Sequence, residues 1–166
     1  MKRIAKFEKV SLEEFEKAFD DKEEAKKIYE KIQLPQRATR GSAGYDFFAP
    51  FDIVLKPNET IKVPTGIRCQ MESGWVLKLY PRSSLGFKYR LQLNNTVGII
   101  DEDYYYSDNE GHIFAKITNA TNENKVLEIK KGQGFMQGLF IEFGITYDDD
   151  VITQRNGGFG STNKSI

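Results

Sequence analysis

An all-β body behind a helical N-terminal segment is the architecture the sequence predicts, and three patterns predict it. From Arg37 onward, short β-branched and aromatic runs recur between Gly and Pro punctuation, the signature of a sandwich or barrel and not of alternating βαβ units. Before Arg37 the apolar residues recur at helical spacing instead. After Asp148-Asp149-Asp150 the core pattern stops, so residues 148–166 are expected to form a mobile arm or one that docks on another surface.

Ser11-Leu12-Glu13-Glu14 reads as a capping box, with Ser11 at the N-cap and Glu14 answering three residues on. Leu12, Phe15 and Phe19 then share a helical face. Asp21 with Glu24 can restart the helix, and Ala25, Ile28, Tyr29 and Ile32 carry the apolar stripe toward Pro35. Residues 1–33 are therefore expected to be a helical extension whose charges form a solvated face, residues 34–147 the β body, and residues 148–166 the arm, all within one domain. Strands are expected at 51–55, 60–63, 67–71, 75–80, 91–93, 97–100, 113–118, 126–130, 138–143 and 145–147.

Charge and rare residues narrow the function. Lys+Arg and Asp+Glu both number 24, so no global field draws the chain to nucleic acid or a membrane surface. Any polyanion must be met by a few local cations and backbone N–H groups. No apolar run approaches membrane-spanning length, and residues 1–10 carry no signal-peptide pattern. Cys69 is the single cysteine, which rules out an intrachain disulfide, suits a reducing cytoplasm and reads as a buried small hydrophobe. His112 is the single histidine, which argues against a zinc site.

The chemistry concentrates between Asn95 and Tyr106. Val97, Ile99 and Ile100 read as a short buried strand, and Gly98 within it marks a bulge or a close ligand approach. Asp101 ends the apolar run, where a carboxylate is partly desolvated yet reaches water, as a general base requires. Tyr104, Tyr105 and Tyr106 follow, with aromatic surface enough to floor a flat ligand.

Other stretches supply the rest of a site. Ala43-Gly44-Tyr45-Asp46 sets an acid beside an aromatic at the start of the β body. Pro81-Arg82-Ser83-Ser84-Leu85-Gly86 offers a cation, two hydroxyls and a run of N–H groups, the inventory of a phosphate site. Lys131-Gly132-Gln133-Gly134-Phe135-Met136-Gln137 reads as a hairpin turn feeding a strand, and the amide of Gln137 needs a partner there, either a ligand or a backbone group. Arg155-Asn156-Gly157-Gly158-Phe159-Gly160-Ser161-Thr162 resembles a phosphate-binding loop but lacks the Lys-Ser/Thr of a P-loop.

In this order and spacing, from about Leu34 to Thr162, these five stretches closely resemble the five motifs of the trimeric dUTP diphosphatase (dUTPase) family. The resemblance implies a distorted jelly roll, or β-clip, assembled as a homotrimer whose active sites borrow residues from three subunits. It implies hydrolysis of dUTP to dUMP and pyrophosphate, which keeps uracil out of DNA and supplies dUMP for dTMP synthesis. Mg²⁺ would be held by the triphosphate and water, with Asp46 ordering water around it. By the same resemblance Asp101 is the catalytic carboxylate, Asn95 holds uracil with backbone at Gly98, and Tyr104 packs under deoxyribose. Arg82, Ser83, Ser84 and Gln137 contact phosphates. Arg155 would reach the γ-phosphate, and Phe159, with Gly160 and Ser161, would close over the base.

Three departures stand out. Residues 105–110 enlarge the loop before Gly111, where the family has one residue. Ser84 replaces a common Gly, and a single residue separates Arg155 from Gly157-Gly158, so an ungapped match would place Gln154 at the arginine position. The enlarged loop and the N-terminal helices are candidate surfaces for a regulatory partner. The chain also resembles deoxycytidine triphosphate deaminase through its Arg-Ser-Ser run. Phe87 and Lys116, however, occupy the positions of that family's catalytic Arg and Glu.

Overall fold

The computed structural model describes residues 1–153 and Arg155. Strand β1 (Ala5–Lys9) leads into helices α1 (Leu12–Glu16) and α2 (Lys22–Glu30), followed by β2 (Gln36–Arg37), β3 (Tyr45–Phe48), β4 (Ile53–Leu55), β5 (Thr60–Pro64), β6 (Ile67–Met71) and β7 (Trp75–Pro81). Helix α3 (Ser83–Tyr89), β8 (Leu91–Leu93), β9 (Gly98–Ile100), a 3₁₀ helix (Glu102–Tyr106), β10 (Phe114–Asn119), β11 (Leu127–Ile129) and β12 (Gly134–Glu142) complete the described chain.

The strands form a jelly-roll-like body. The largest sheet has the order β2-β3-β12-β7-β9; a second runs β5-β10-β8, and β11-β4 and β1-β6 pair separately. Strand β12 can sit centrally because Gly138 presents no side chain. A Cβ there would lie 2.8 Å from Leu77 Cδ1 and 3.1 Å from Phe47 Cε2. Alternation then turns Phe47, Ile53, Leu77, Leu79, Ile117, Leu127, Ile129 and Met136 into one core. Each such side chain contributes about 1.5–3 kcal/mol on burial.

Both N-cap side chains act as expected, but the capping box at Ser11 closes only half-way, because the Ser11 N–H donates to Glu110 and not to Glu14. Glu14 N–H donates to Ser11 Oγ at 3.1 Å, and Asp21 Oδ1 accepts from Glu23 and Glu24 N–H at 2.9 and 3.1 Å. Phe15, Ala25 and Ile28 close a small second core with Val10. Cys69 is buried, and burial pushes its thiol up to about 12.

The structure corrects the expectation for the N-terminal segment in two places. It is not helical throughout: β1 pairs antiparallel with β6, Phe7 opposite Cys69, and the Phe7 ring meets Phe47 edge-on at 5.6 Å. A strand with one core residue among Lys6, Glu8 and Lys9 shows no readable alternation. Nor are the charges of α1 all solvated, because Glu14 is buried, with Oε2 bonded to Lys17 Nζ at 2.7 Å. Elsewhere, residues 145–147 form no strand, and Ile145 and Tyr147 are exposed. The Ser-rich stretch opens α3, whose only buried residue is Leu85, too little apolar pattern to announce a helix.

Candidate active site

Strand β9 delivers Asp101 to the rim of a cleft of about 680 Å³, shared with Asn94, Asn95, Gly98, Tyr104 and Arg155. Asp101 stands at the N-cap of the 3₁₀ helix without making a side-chain cap bond, and its side chain is 46% exposed. It is therefore both constrained and reachable by water. Gly98 lines the cleft, yet the requirement for glycine comes from behind: a Cβ would lie 2.9 Å from Leu79 Cβ on the neighbouring strand. Tyr104 is buried at the cleft floor, which raises its phenol above the ordinary value. The other two tyrosines do not join it. Tyr105 turns back to Glu8, and Tyr106, 73% exposed, packs edge-on against the Tyr105 ring at 5.0 Å, away from the cleft floor.

Arg155 reaches this cleft from its own chain. Its Nη2 pairs with Asp101 Oδ2, its Nε donates to Asp103 Oδ1 at 2.8 Å, and its guanidinium carbon stands 5.9 Å from the centre of the Tyr104 ring. Gln154, Phe159, Gly160 and Ser161 lie outside the described residues.

A second group gathers on the largest sheet. Register places Gln137 opposite Asp46 on one side and Tyr80 on the other, one residue short of Pro81-Arg82. Arg82 Nε approaches Asp46 Oδ1 at 3.3 Å, and Gln137 Nε2 donates to the Pro81 carbonyl at 3.3 Å, so a backbone group partners that amide. Two glycines make the room: a Cβ on Gly44 would lie 2.6 Å from Gln137 Oε1, and one on Gly134 would lie 2.8 Å from Arg82 Nη1. Ser83 and Ser84, both exposed, begin α3 beside Arg82. None of Asp46, Arg82, Ser83, Ser84 or Gln137 lines the Asp101 cleft. The chain thus carries two separate groups of candidate residues.

Lys62, Asn94, Phe114 and Lys116 also line the cleft and were not singled out as site residues from the sequence. Register explains them: Lys62 lies opposite Lys116 across β5 and β10. Only strand pairing reveals that adjacency.

His112 sits behind the cleft, fully buried. Its Nε2 accepts from Gly66 N–H at 3.0 Å, its Nδ1 has no hydrogen-bond partner, and Glu14 Oε1 lies 3.7 Å from that atom. Burial lowers its pKa from 6.5 to about 4, against a smaller upward pull from Glu110 and with a further push down from Lys62. The unfolded chain therefore takes up this proton more readily between those values. Stability is complete above pH 6.5, declines as pH falls toward about 4, and loses about 3 kcal/mol over that window. Thermal melts at stepped pH check this. His112→Gln, which keeps an acceptor for Gly66 N–H, should flatten the decline between about pH 5 and 6.5.

The comparisons with known proteins agree on one assignment. The dUTPase family model matches residues 30–163. The chain belongs to the dUTPase family. Deoxyuridine 5'-triphosphate nucleotidohydrolase of Lactococcus lactis is 44% identical over 134 residues, covering 79% of this chain and 88% of that protein. The protein of the same name from Tolumonas auensis is 35% identical over 146 residues, covering 83% and 92%. The crystal structure of dUTPase from Streptococcus mutans superposes with a TM-score of 0.65 at 34% identity, over 84% of this chain and 97% of that one. A dUTPase from phage phi11 of S. aureus, at 18% identity and a TM-score of 0.63 over 90% and 96% of the two chains, shares the fold. Among the described residues, no helix is long and apolar enough to cross a membrane.

Proposed function

We propose that this dUTPase-family chain hydrolyses dUTP to dUMP and pyrophosphate. The observation that carries the reading is a half-exposed Asp101 at the rim of the cleft that also holds Asn95 and Tyr104. Asn95 and the backbone at Gly98 receive uracil, and the Tyr104 ring packs against the sugar. Asp101 takes a proton from water while the water oxygen bonds to the α-phosphorus. The bond from that phosphorus to the bridging oxygen breaks, and the electron pair leaves with pyrophosphate. Arg82, Ser83, Ser84 and Gln137 hold phosphate oxygens and stabilise the charge that develops on them.

Two half-sites in one chain suit a homotrimer in which the Asp101 cleft of one subunit faces the Arg82 group of another. Arg155, now paired with Asp101 and Asp103, is drawn to the γ-phosphate as substrate enters, which frees the base. Phe159, Gly160 and Ser161 contribute contacts to the base. In this reading residues 1–166 act as one domain, with the β body at 34–147, and the protein works in the cytoplasm.

Mg²⁺ fits this arrangement as a companion of the substrate. Among the described residues no three His, Cys, Asp or Glu side chains converge to hold a metal, and Asp46 is paired with Arg82. The ion would take phosphate and water ligands, near Asp46, and supply charge neutralisation on the triphosphate. A regulatory partner is a lesser part of the reading. Within the enlarged loop, Tyr105 and Glu110 already bond to the N-terminal segment, which leaves the exposed Tyr106 as its main offering to another protein.

Pyrophosphate release from dUTP, UTP, dTTP and dCTP tests the proposal, with dUTP expected to be strongly preferred. Ammonia from dCTP would instead mark a deaminase, and no release from any nucleotide would leave a binding module. Gly134→Ala should leave the melting temperature unchanged, since the flexible end of Arg82 yields to the new methyl. The displaced guanidinium should cost between about tenfold and a hundredfold in kcat/KM for dUTP.

A further inference from the structure

The two features that set this chain apart, an N-terminal segment and a loop enlarged at residues 105–110, are bonded to each other. Ser11 donates to Glu110 twice, from N–H to Oε2 at 2.7 Å and from Oγ to Oε1 at 2.5 Å. Tyr105 OH donates to Glu8 Oε2 at 2.5 Å, and Arg68, opposite Glu8 in the β1–β6 pair, lies 3.6 Å over the Tyr105 ring. Arg68 also donates to the Tyr105 carbonyl at 3.1 Å. Glu110 holds a left-handed backbone, φ 56°, which a side chain normally avoids, and Gly111 follows at φ 71°. At Gly111 a Cβ would strike Tyr105 Cα at 2.7 Å and the Tyr104 carbonyl at 2.8 Å. The loop is thus wound tightly against the backbone of the tyrosine at the cleft floor.

That winding ends on the Tyr104 hydroxyl. Tyr104 OH donates to the His112 carbonyl at 2.7 Å and accepts from Asn109 Nδ2 at 2.8 Å. Asn109 is itself fixed, its Oδ1 accepting from Gly111 N–H at 3.2 Å and its carbonyl from His112 N–H at 3.0 Å. The His112 ring is held by Gly66 N–H and lies 6.0 Å from the Phe15 ring of α1. Both grips on the far end of Tyr104 thus adjoin contacts to the N-terminal segment: Asn109 precedes Glu110, which Ser11 holds, and the His112 ring meets Phe15.

We propose that residues 105–112 form a bracket, moored on the N-terminal segment, that fixes the tilt of the Tyr104 ring and so sets how strictly the site excludes a 2′-hydroxyl. Asn109 and Glu110 are positioning residues in this account. It rests on the dUTP reading above, in which Tyr104 packs against the sugar. A planar ring rejects one extra oxygen only while it cannot tilt, and a phenol pinned by two hydrogen bonds cannot.

The test is kcat/KM for dUTP and for UTP in the full chain, alongside melting temperature. Asn109→Asp retains the acceptor for Gly111 N–H but replaces the donor to Tyr104 with a charged acceptor that competes with the His112 carbonyl for the phenol proton, so the dUTP:UTP ratio should fall about tenfold. Glu110→Gln removes the charge and one of the two acceptors that Ser11 uses, and should lower the ratio about threefold from further away. A merely structural role would lower the melting temperature of both variants and leave the ratio at the wild-type value, which overturns the bracket. If Asn109→Asp fails to fold, the ratio in Glu110→Gln decides alone. Wild type that turns over dUTP and UTP equally overturns the bracket together with the placement of Tyr104. Wild type inert toward dUTP removes the functional reading itself.

Discussion

Asp101→Asn should leave a folded protein that turns over dUTP about a thousandfold more slowly. The amide is nearly the same size as the carboxylate and can still accept a hydrogen bond, so the geometry of the rim survives. It cannot take a proton from water. Half exposure means that no burial energy depends on this side chain, and Asp101 makes no cap bond to the 3₁₀ helix. The melting temperature should therefore shift little, with a small loss from the broken charge pairing to Arg155. Pyrophosphate release and a melt on the same preparation check both halves. Near-normal turnover would mean that another group readies the water, with Asp103 as the neighbouring carboxylate to test next.

Ending the chain after Asp150 should lower turnover by about a hundredfold or more and leave the β body folded. The cut removes Arg155, the one cation among the described residues that pairs with Asp101, and the residues expected to close over the base. Fold retention follows from where the core lies: among the described residues none beyond Phe140 packs on it, and Val151 and Ile152 are exposed. Shared sites give this experiment a second readout. Refolded mixtures of the truncated chain and full-length Asp101→Asn should regain part of the activity, because some sites then combine an intact carboxylate with an intact arm. Mixtures no more active than their parts would confine each site to one chain.

Much of this protein was legible one neighbourhood at a time. Ser11 and Asp21 are caps because a short oxygen side chain meets N–H groups two or three residues on, a contact written wholly in local sequence. Strands such as β6 and β8 announce themselves by alternation and by the Gly and Pro residues around them. The residues proposed for the two groups were likewise chosen by chemical type and order, and the dUTPase family match spans the stretches that hold them. Strand β1 escaped because one buried Phe in five residues has no period, and α3 because one buried Leu in seven has none either. The use of three consecutive tyrosines was misjudged for a related reason. Which side of a turn each ring leaves from is a matter of backbone geometry, and composition does not carry it.

The sequence by itself determined the helix caps, the all-β class and the chemical stock of the site, since each depends on residues a few positions apart. Tertiary structure alone decided that Gly134 clears a berth for Arg82, that Gly44 does so for Gln137, and that these groups stand apart from the Asp101 cleft. It also decided that Glu110 reaches back 99 residues to Ser11. Contacts of that span depend on where separate strands come to rest, and a single chain of letters holds no repeating pattern from which to read them.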